Sequence, residues 1–306
     1  MKPAVSIVTP AYNRARLLPR AWNSLLRQTE QDFQWIVVDD GSTDDTPEVV
    51  RGFADPRIDY VWQENGGTCA ARNRGDREIR ADFVVYLDSD DELFGDSALA
   101  EMLAEIKAAR PEITHVSFTV VGGDGRRPRE SHIESDRLEA DYADLACEQK
   151  ARGEFISICR RETALAFPWP PFNGLEHLRH LAMARQGPVL MINKPARIYH
   201  ATDDSLIGAA SALRRAASMA DALAQLIGEH KPIWMARCPC QLGRHSFYRA
   251  MYLALSGRAI RAWPCLWRAF LHGDGNIRVK AALLLPCCLF PLWMRKKLFL
   301  WYPRHV

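Results

Sequence analysis

Apolar runs alternate with amphipathic stretches through the first third of the chain. Four short runs are rich in β-branched and aromatic residues, which is typical of buried strands: Val5–Thr9, Phe33–Val38, Ile58–Trp62 and Phe83–Leu87. The stretches between and after them carry apolar residues at three- and four-residue spacing or a helix-start signal, and they predict helices at Leu17–Leu26, from Thr46 onward, at Cys69–Arg80 and at Ser97–Arg110. This alternation predicts an α/β fold with a mainly parallel sheet covered by helices on both faces.

The pattern changes after Thr114, where longer polar or proline-rich segments separate the regular elements. In chain order the sequence predicts a loop, a second loop, a helix and a strand: Gly122–Arg129, Pro168–Gly174, Glu176–Arg185 and Val189–Ile192. Beyond residue 205 the hydrophobic pattern is helical throughout. We therefore expect a core domain over residues 1–205 and a helical C-terminal region over residues 206–306.

Polar residues follow directly after each of the four predicted strands. The clusters are Pro10–Asn13, Asp39–Thr46, Glu64–Thr68 and Asp88–Glu92. Ligands of an open parallel sheet bind beyond the carboxyl ends of its strands. The four clusters therefore predict one binding site along a single edge of the sheet.

The last of these clusters, in the stretch VVYLDSDDEL, carries the densest charge. Asp88, Asp90, Asp91 and Glu92 fall within five positions. Clustered carboxylates repel each other, so they need either water or a cation. A solvated turn and a metal site are both compatible with this pattern, and Asp91 alone is interpreted as a solvated neighbour.

The charge distribution separates the C-terminal region from the rest. From Lys231 onward the sequence has 13 Lys and Arg side chains and one acid, Asp274, whereas the preceding residues have 27 basic and 36 acidic side chains. This region also holds five of the nine tryptophans. Its apolar stretch Ala281–Met294 is too short to span a bilayer, which takes about 20 residues. Tryptophans beside basic residues favour a surface that lies on an anionic membrane; a helical appendage packed on the core or in a dimer is the alternative.

Four motifs, in this order and spacing, resemble those of family 2 glycosyltransferases with the GT-A fold. They are VSIVTPAYNRARLLPRAWNSLLRQ from Val5, VVDDGSTDDT from Val37, ENGGTCAARNRG from Glu64 and YLDSDDEL from Tyr86. The resemblance extends strongly to about Leu93 and more weakly to His200. It implies an enzyme that moves a sugar from a nucleotide-diphosphate donor to an acceptor hydroxyl with inversion, using Mn²⁺ or Mg²⁺. It also implies a nucleotide-sugar-binding half over residues 1–110 and an acceptor half over residues 111–205.

The resemblance assigns donor-binding roles to residues after the first two strands. The nucleotide base would lie at Pro10, Ala11, Tyr12 and Asn13, with the Tyr12 ring available for stacking; a tyrosine packed under a loop is the alternative. Asp39 or Asp40 would accept the N–H of a uracil-like ring, and we favour Asp39. The other aspartate is expected to stabilise the turn that follows.

The resemblance places the diphosphate and the metal at the third and fourth strand ends. Gly67 would allow close backbone approach at a helix start, and Arg72 would reach the diphosphate or nucleoside unless it lies on a solvated helix face. Asp88 would hold ribose or sugar hydroxyls, with Ser89 beside it, and Asp90 would bind the metal.

Two further candidates follow in the second half of the core domain. In family members the base that deprotonates the acceptor hydroxyl belongs to a Glu-Asp pair before a helix, and here Glu176-His177 occupies that place. Glu176 is favoured as the base and His177 is the alternative; an ordinary first-turn acid is the structural interpretation of Glu176. His200 would complete the metal or diphosphate site, although a lone histidine is more often structural.

These features together predict a cytoplasmic enzyme, and the C-terminal region favours a peripheral location on the inner face of the cytoplasmic membrane. The N-terminal apolar run of five residues is too short for a signal-peptide core. The expected partners are a UDP-sugar and a saccharide or lipid-linked saccharide acceptor, as in bacterial surface polysaccharide or glycolipid assembly. No motif supports nucleic-acid binding. A catalytically weak or inert GT-A scaffold that binds at a membrane is the alternative, because the Glu-Asp pair is altered.

Overall fold

The protein, seen in a computed structural model, divides into two compact units. They are Met1–Thr202 and Asp203–Val306. The structure describes residues 2–124, 132–171, 176–200 and 213–301. Parts of the predicted loops Gly122–Arg129 and Pro168–Gly174 therefore lie outside the described residues.

The first unit contains the four strands that the sequence predicts, together with further strands. In chain order they are β1 (Val5–Ala11), β2 (Phe33–Asp39), β3 (Ile58–Trp62), β4 (Phe83–Tyr86), β5 (Glu92–Leu93), β6 (His115–Gly122), β7 (His132–Ile133), β8 (Arg137–Ala140), β9 (Ala151–Arg152), β10 (Phe155–Arg160) and β11 (Val189–Tyr199). β11 is longer than the predicted Val189–Ile192, because its pairing with β6 continues to Tyr199 through irregularities around Pro195.

Nine of these strands form one sheet in the described part of the unit, in the order β3-β2-β1-β4-β10-β6-β11-β5, with β8 paired to β11. β3, β2, β1 and β4 are parallel, and β6 and β11 are parallel. β10, β5 and β8 run antiparallel to their neighbours. The predicted α/β fold with parallel central strands is confirmed, and the antiparallel strands add to it.

Helices cover this sheet. They are α1 (Leu18–Leu26), α2 (Thr46–Gly52), α3 (Thr68–Asp76), α4 (Ala98–Ala108), α5 (Arg161–Ala166) and α6 (His177–Ala184). The first four and the last were predicted, although α3 ends four residues before the expected Arg80. Trp22 of α1 stacks on Trp35 of β2, with ring centroids 5.2 Å apart. This contact buries the apolar face of α1 against the sheet.

The second unit is helical, as the hydrophobic pattern predicts. Its helices are α7 (Ala216–Arg237), α8 (Pro239–Leu255), α9 (Trp263–His272), α10 (Gly275–Cys287) and α11 (Leu292–Trp301). Small side chains such as Ala250, Ala254 and Ala269 form its core together with Leu253 and Leu266. None of the helices in the described residues is long and apolar enough to cross a membrane.

Candidate active site

The loops that follow β1 and β2 are joined by hydrogen bonds at the carboxyl edge of the sheet. The amide N–H of Asn13 donates to Ser42 Oγ at 2.9 Å, and Asn13 Oδ1 accepts from the amide of Thr43 at 2.8 Å. Asn13 has a left-handed φ of 53°, which asparagine tolerates better than most residues. The first two predicted clusters therefore do lie together.

The residues expected near a nucleotide base have very different exposures. Pro10 and Ala11 are buried at the end of β1, whereas 45% of Tyr12 is exposed. Asp39 is fully buried: its carboxylate accepts from the amide of Ser42 at 2.8 Å and from the Tyr60 hydroxyl at 2.6 Å. Burial, reinforced by Asp39, raises the pKa of Tyr60. Each carboxylate oxygen of Asp39 retains a lone pair for a further donor.

Asp40 holds the loop between β3 and α3. Its Oδ1 accepts from the amide of Gly66 at 2.8 Å and from Gln63 Nε2 at 2.6 Å, and its Oδ2 accepts from the amide of Gly67 at 2.7 Å. Gly67 has a φ of 87°, in the left-handed region that favours glycine. The backbone of this loop is therefore fixed by a carboxylate at the end of the neighbouring strand.

Arg72 is buried on the inner side of α3 and points to Asp88. Only 8% of Arg72 is exposed, so the interpretation of a solvated helix face is wrong. Its Nη2 donates to Asp88 Oδ1 at 2.5 Å. Its guanidinium carbon lies 4.4 Å from the centre of the Trp169 ring. Arg72 is thus held between a carboxylate and an aromatic face.

Arg197, on β11, is a second cation beside Asp88, and sequence reasoning missed it. Its Nη1 lies 3.4 Å from Asp88 Oδ2 and 3.4 Å from Asp91 Oδ2, and its Nη2 lies 3.2 Å from Glu154 Oε2. Burial raises the pKa of Asp88, but Arg72 and Arg197 outweigh it and the net shift is downward. A charged residue inside the apolar stretch ARIY was the available signal.

Asp91 is buried, which corrects its interpretation as a solvated neighbour. Only 2% of it is exposed, and its Oδ1 accepts from the amide of His200 at 3.0 Å. Burial raises the pKa of Asp91 to about 7, although Arg197 opposes this shift. Ser89 is also buried. The sequence did not reveal these roles because β11, which covers this cluster, lies about a hundred residues further along the chain.

Asp90 and His200, the two residues expected at the metal, lie at the same end of the sheet. β5 pairs with β11 so that Glu92 is opposite Ile198, and His200 Nε2 contacts Glu92 Oε1 at 2.8 Å. The guanidinium of Arg20 donates to the backbone carbonyl of Asp90.

The side chains at this end of the sheet fit a hard cation that takes its other ligands from water and substrate phosphates. Among the described residues no three His, Cys, Asp or Glu side chains are grouped to hold a metal ion. Mg²⁺ and Mn²⁺ sites of this kind usually combine one or two carboxylates with waters and substrate phosphates. A single carboxylate such as that of Asp90 is compatible with such a site.

Glu176 occupies the N-cap position of α6, without a side-chain capping bond, next to the first turn of α3. The Sγ of Cys69 lies 4.0 Å from Glu176 Oε1. Burial lowers the pKa of Arg72, but the charges of Asp88 and then Glu176 outweigh it, and the net shift is upward. Burial, followed by Glu176, raises the pKa of Cys69 to about 12. His177 is exposed at the start of α6. The structure thus brings Glu176, and not only the strand-end clusters, close to Arg72.

Arg179 of α6 packs on two aromatic rings, those of Trp169 and Tyr86. Its guanidinium carbon lies 4.3 Å from the centre of the Trp169 ring and 4.7 Å from that of Tyr86. Its Nη2 donates to the Tyr86 hydroxyl, which donates in turn to Asp76 at 2.6 Å. Burial raises the pKa of Asp76 to about 6. A buried polar network therefore connects α6 with α3 and β4.

Comparison with known proteins identifies relatives of the N-terminal part of the chain. The family model described as "Glycosyl transferase family 2" matches residues 6–167. Validoxylamine A glucosyltransferase of Streptomyces hygroscopicus subsp. jinggangensis is 48% identical over 92 residues, which are 28% of this chain and 22% of that protein. The uncharacterized glycosyltransferase EpsJ of Bacillus subtilis is 33% identical over 141 residues, 45% of this chain and 40% of that protein. The chain thus covers less than half the length of these two curated relatives.

Solved structures share the fold at low identity. A crystal structure of S. aureus TarS residues 1–349 superimposes with a TM-score of 0.60 at 17% identity, covering 97% of this chain and 88% of that one. A mannosyltransferase from Pyrobaculum calidifontis, in complex with GDP-Man and Mn²⁺, gives a TM-score of 0.57 at 22% identity and covers 98% and 85%. Another TarS structure, in complex with UDP-GlcNAc, gives 0.54 at 16% identity and covers 85% and 89%.

Proposed function

Because the chain belongs to glycosyl transferase family 2, we propose that it transfers a sugar from a nucleoside diphosphate donor to an acceptor hydroxyl, with inversion at the anomeric carbon. The observation that carries the proposal is Asp88, which lies between Arg72 and Arg197 where the ends of β1, β2 and β4 meet. Two buried cations beside a carboxylate provide positive charge for a diphosphate while Asp88 remains ionised to accept hydroxyl donors.

The nucleoside half of the donor is held by the first two strand ends. The exposed ring of Tyr12 stacks on the base, and Asp39 accepts a base N–H through its remaining lone pairs. Because uracil presents an N–H that Asp39 can accept, we favour a UDP-sugar as the donor. The hydrogen bonds of Ser42 and Tyr60 to Asp39 fix the carboxylate before the donor arrives.

The diphosphate half lies between α3 and the end of β4. Arg72 faces it from α3, Asp88 and Ser89 hold hydroxyls of the ribose or sugar, and Asp90 provides the carboxylate for a bound Mn²⁺ or Mg²⁺, with His200 beside it. A divalent cation bound there would neutralise the negative charge that develops on the leaving nucleoside diphosphate. Asp40 contributes by holding the backbone at Gly66 and Gly67 close to this position.

Glu176 accepts the proton of the acceptor hydroxyl as that oxygen attacks the anomeric carbon. Its position beside Cys69 and within electrostatic range of Arg72 supports this role, because the base must lie near the donor. His177 is adjacent and exposed, so it is the alternative proton acceptor.

The acceptor is a saccharide or a lipid-linked saccharide, and the reaction belongs to assembly of a bacterial surface polysaccharide or glycolipid. The basic, tryptophan-rich C-terminal region supports a site of action on the inner face of the cytoplasmic membrane.

The first test is thermal stabilisation by nucleotide diphosphates and sugar nucleotides, with and without Mn²⁺. A nucleotide that binds only the folded state raises the unfolding temperature. We expect a UDP-sugar to stabilise most, and only when metal is present. The metal arm is repeated with Asp90→Asn, which should lose the metal-dependent part, and with the exposed Asp96→Asn as control.

The second test is transfer or donor hydrolysis by Glu176→Gln. The control is Glu162→Gln, because Glu162 is an exposed first-turn acid of α5 and reports any loss due to a helix-dipole charge alone. Loss of about 10²-fold or more in Glu176→Gln but not in Glu162→Gln supports the base. Binding of sugar nucleotides without any turnover would instead favour the inert scaffold.

A further inference from the structure

Helix α9 is apolar on two opposite faces. Its inner face is buried and consists of Cys265, Leu266 and Ala269. On its outer face Trp267 is 64% exposed, and Phe270, three positions later, is 47% exposed. The two rings stack on each other with centroids 6.2 Å apart. Exposed aromatic side chains on a helix whose inner face is already buried indicate a second apolar environment outside the core.

The outer face of α9 is continued by apolar side chains of the adjoining helix. Ile277 and Ala281 of α10 are buried in the same cluster as the inner face of α9. Val279 and Leu283, one turn apart on the other side of α10, are 60% and 67% exposed. We call the exposed side chains of the two helices the outer apolar surface: Trp263, Trp267, Phe270, Leu271, Val279 and Leu283.

The charge around this surface has one sign. Arg261, Arg268 and Lys280 come from the same helices or their flanks. The one acid after residue 231, Asp274, accepts the amide of Ile277 at 2.9 Å and so serves as the cap of α10. The helices that carry the exposed apolar groups therefore also carry cations, and Asp274 is the one acid in residues 231–306.

We propose that the outer apolar surface inserts into the interface of an anionic lipid bilayer. Tryptophan and phenylalanine side chains suit the boundary between headgroups and acyl chains, and Lys and Arg side chains near an anionic surface add electrostatic attraction. A second copy of the chain fits less well, because an isologous contact would bring the same cations together. The helices lie on the membrane and do not cross it. This inference deepens the membrane location given in the proposed function and rests on it, whereas flotation without donor or metal is measured separately from sugar transfer.

The test is flotation of the full chain with vesicles, without donor or metal. Vesicles of phosphatidylglycerol and phosphatidylcholine are compared with vesicles of phosphatidylcholine alone. We expect binding to the anionic vesicles, and a loss of about tenfold or more when anionic lipid is omitted or salt is raised to 0.5 M. The double variant Trp267→Ser and Leu283→Ser should bind at least about fivefold more weakly, because each change removes exposed apolar area that the membrane covers.

Matched controls come from the first unit. Leu26→Ser removes an exposed leucine of α1, and Lys107→Glu reverses an exposed charge of α4; neither should change binding. Lys280→Glu should weaken it. Absence of flotation with anionic vesicles overturns the proposal, as does binding that the double variant leaves unchanged. A dimer in light scattering that the double variant dissociates, without vesicle binding, would assign the surface to a second copy instead.

Discussion

The guanidinium carbon of Arg72 lies 4.4 Å from the centre of the Trp169 ring, so the residue that contacts Asp88 is also packed on a buried indole. The same ring contacts Arg179 at 4.3 Å. Asn73, next to Arg72 in α3, exchanges hydrogen bonds with the backbone of Trp169 at 2.8 and 3.0 Å. Trp169 therefore couples the position of α3 to that of α6, which carries Glu176 at its start.

Replacing Trp169 by leucine should lower kcat/KM even at temperatures at which the variant is fully folded. Without the ring, Arg72 and Arg179 lose a common support, and a displacement of about 1 Å in a catalytic arrangement can cost about 10²-fold. Trp169→Phe keeps an aromatic face and should retain most activity. The measurement is kcat and donor KM at a temperature where each variant is folded.

The control for Trp169 is Trp62→Leu. Trp62 is 57% exposed at the end of β3, so its loss should alter neither activity nor stability by much. If Trp169→Leu unfolds at a lower temperature yet keeps full kcat/KM below it, the ring is merely structural and the coupling between α3 and α6 does not matter for turnover.

Arg197→Met should destabilise the fold strongly. The substitution removes the cation beside the buried Asp91, which keeps the hydrogen bond from the His200 amide. Removing one partner of a buried ion pair costs about 3–5 kcal/mol. Arg137→Met is the matched control, because Arg137 forms an exposed pair with Glu105 whose loss costs about 1 kcal/mol or less. Urea unfolding of the two variants gives both values. Equal losses of unfolding free energy in Arg197→Met and Arg137→Met would mean that the ion pairs of Arg197 are screened by solvent.

The sequence predicts the parallel half of the fold well because its signals are local. β1 to β4 are short runs in which apolar residues predominate, and the polar clusters follow them directly, so strand ends and site residues are adjacent in the chain. β10 was not placed, because its alternation in FISICR carries no information on which neighbours it joins or in which direction.

The parts of the site that sequence reasoning missed depend on contacts distant in the chain. Arg197 meets Asp88 across 109 positions, and Asn73 meets Trp169 across 96. Trp169 lies in a proline-rich stretch that predicts only a loop. The solvated interpretation of Asp91 failed for the same reason: its burial is due to β11, and no pattern around Asp91 itself indicates that cover.

Asp40→Ala should raise the donor KM while leaving kcat less affected. The change removes the acceptor of the Gly66 and Gly67 amides and of the Gln63 side chain, so the loop before α3 is no longer held near the diphosphate. Hydrogen bonds to a charged group contribute about 1.5–3 kcal/mol each, so stability should fall as well. Asp45→Ala is the control, since Asp45 precedes α2 without a side-chain cap bond. A donor KM unchanged in Asp40→Ala would contradict this role.

His115 and His180 form a buried pair, with His180 Nδ1 3.2 Å from His115 Nε2. Burial, followed by the charge of Arg179, lowers the pKa of His180 to about 3, and burial lowers the pKa of His115 well below its usual range. A histidine whose pKa is lowered on folding contributes stability that is fully present above its unfolded pKa of 6.5. That contribution is lost as the pH falls below 6.5, because the unfolded chain takes up protons that the folded chain does not.

The contribution of the two histidines to stability should therefore fall as the pH is lowered from 7 to 5, well above the pKa of ordinary carboxyls. His180 accounts for a loss of about 2 kcal/mol between pH 7 and pH 5, and His115 adds a loss in the same direction. Asp76 and Asp91 act in the opposite direction, because their folded pKa values of about 6 and about 7 exceed the ordinary 3.8, and together they gain about 3 kcal/mol over the same interval. The histidine contribution is therefore obtained by comparing variants and not from the unmodified chain alone. In His180→Gln the difference in unfolding free energy between pH 7 and pH 5 should shrink by roughly the contribution of one histidine. The exposed His132→Gln should leave that difference unchanged, and an identical pH dependence in His180→Gln and the unmodified chain would mean that His180 is protonated in the fold.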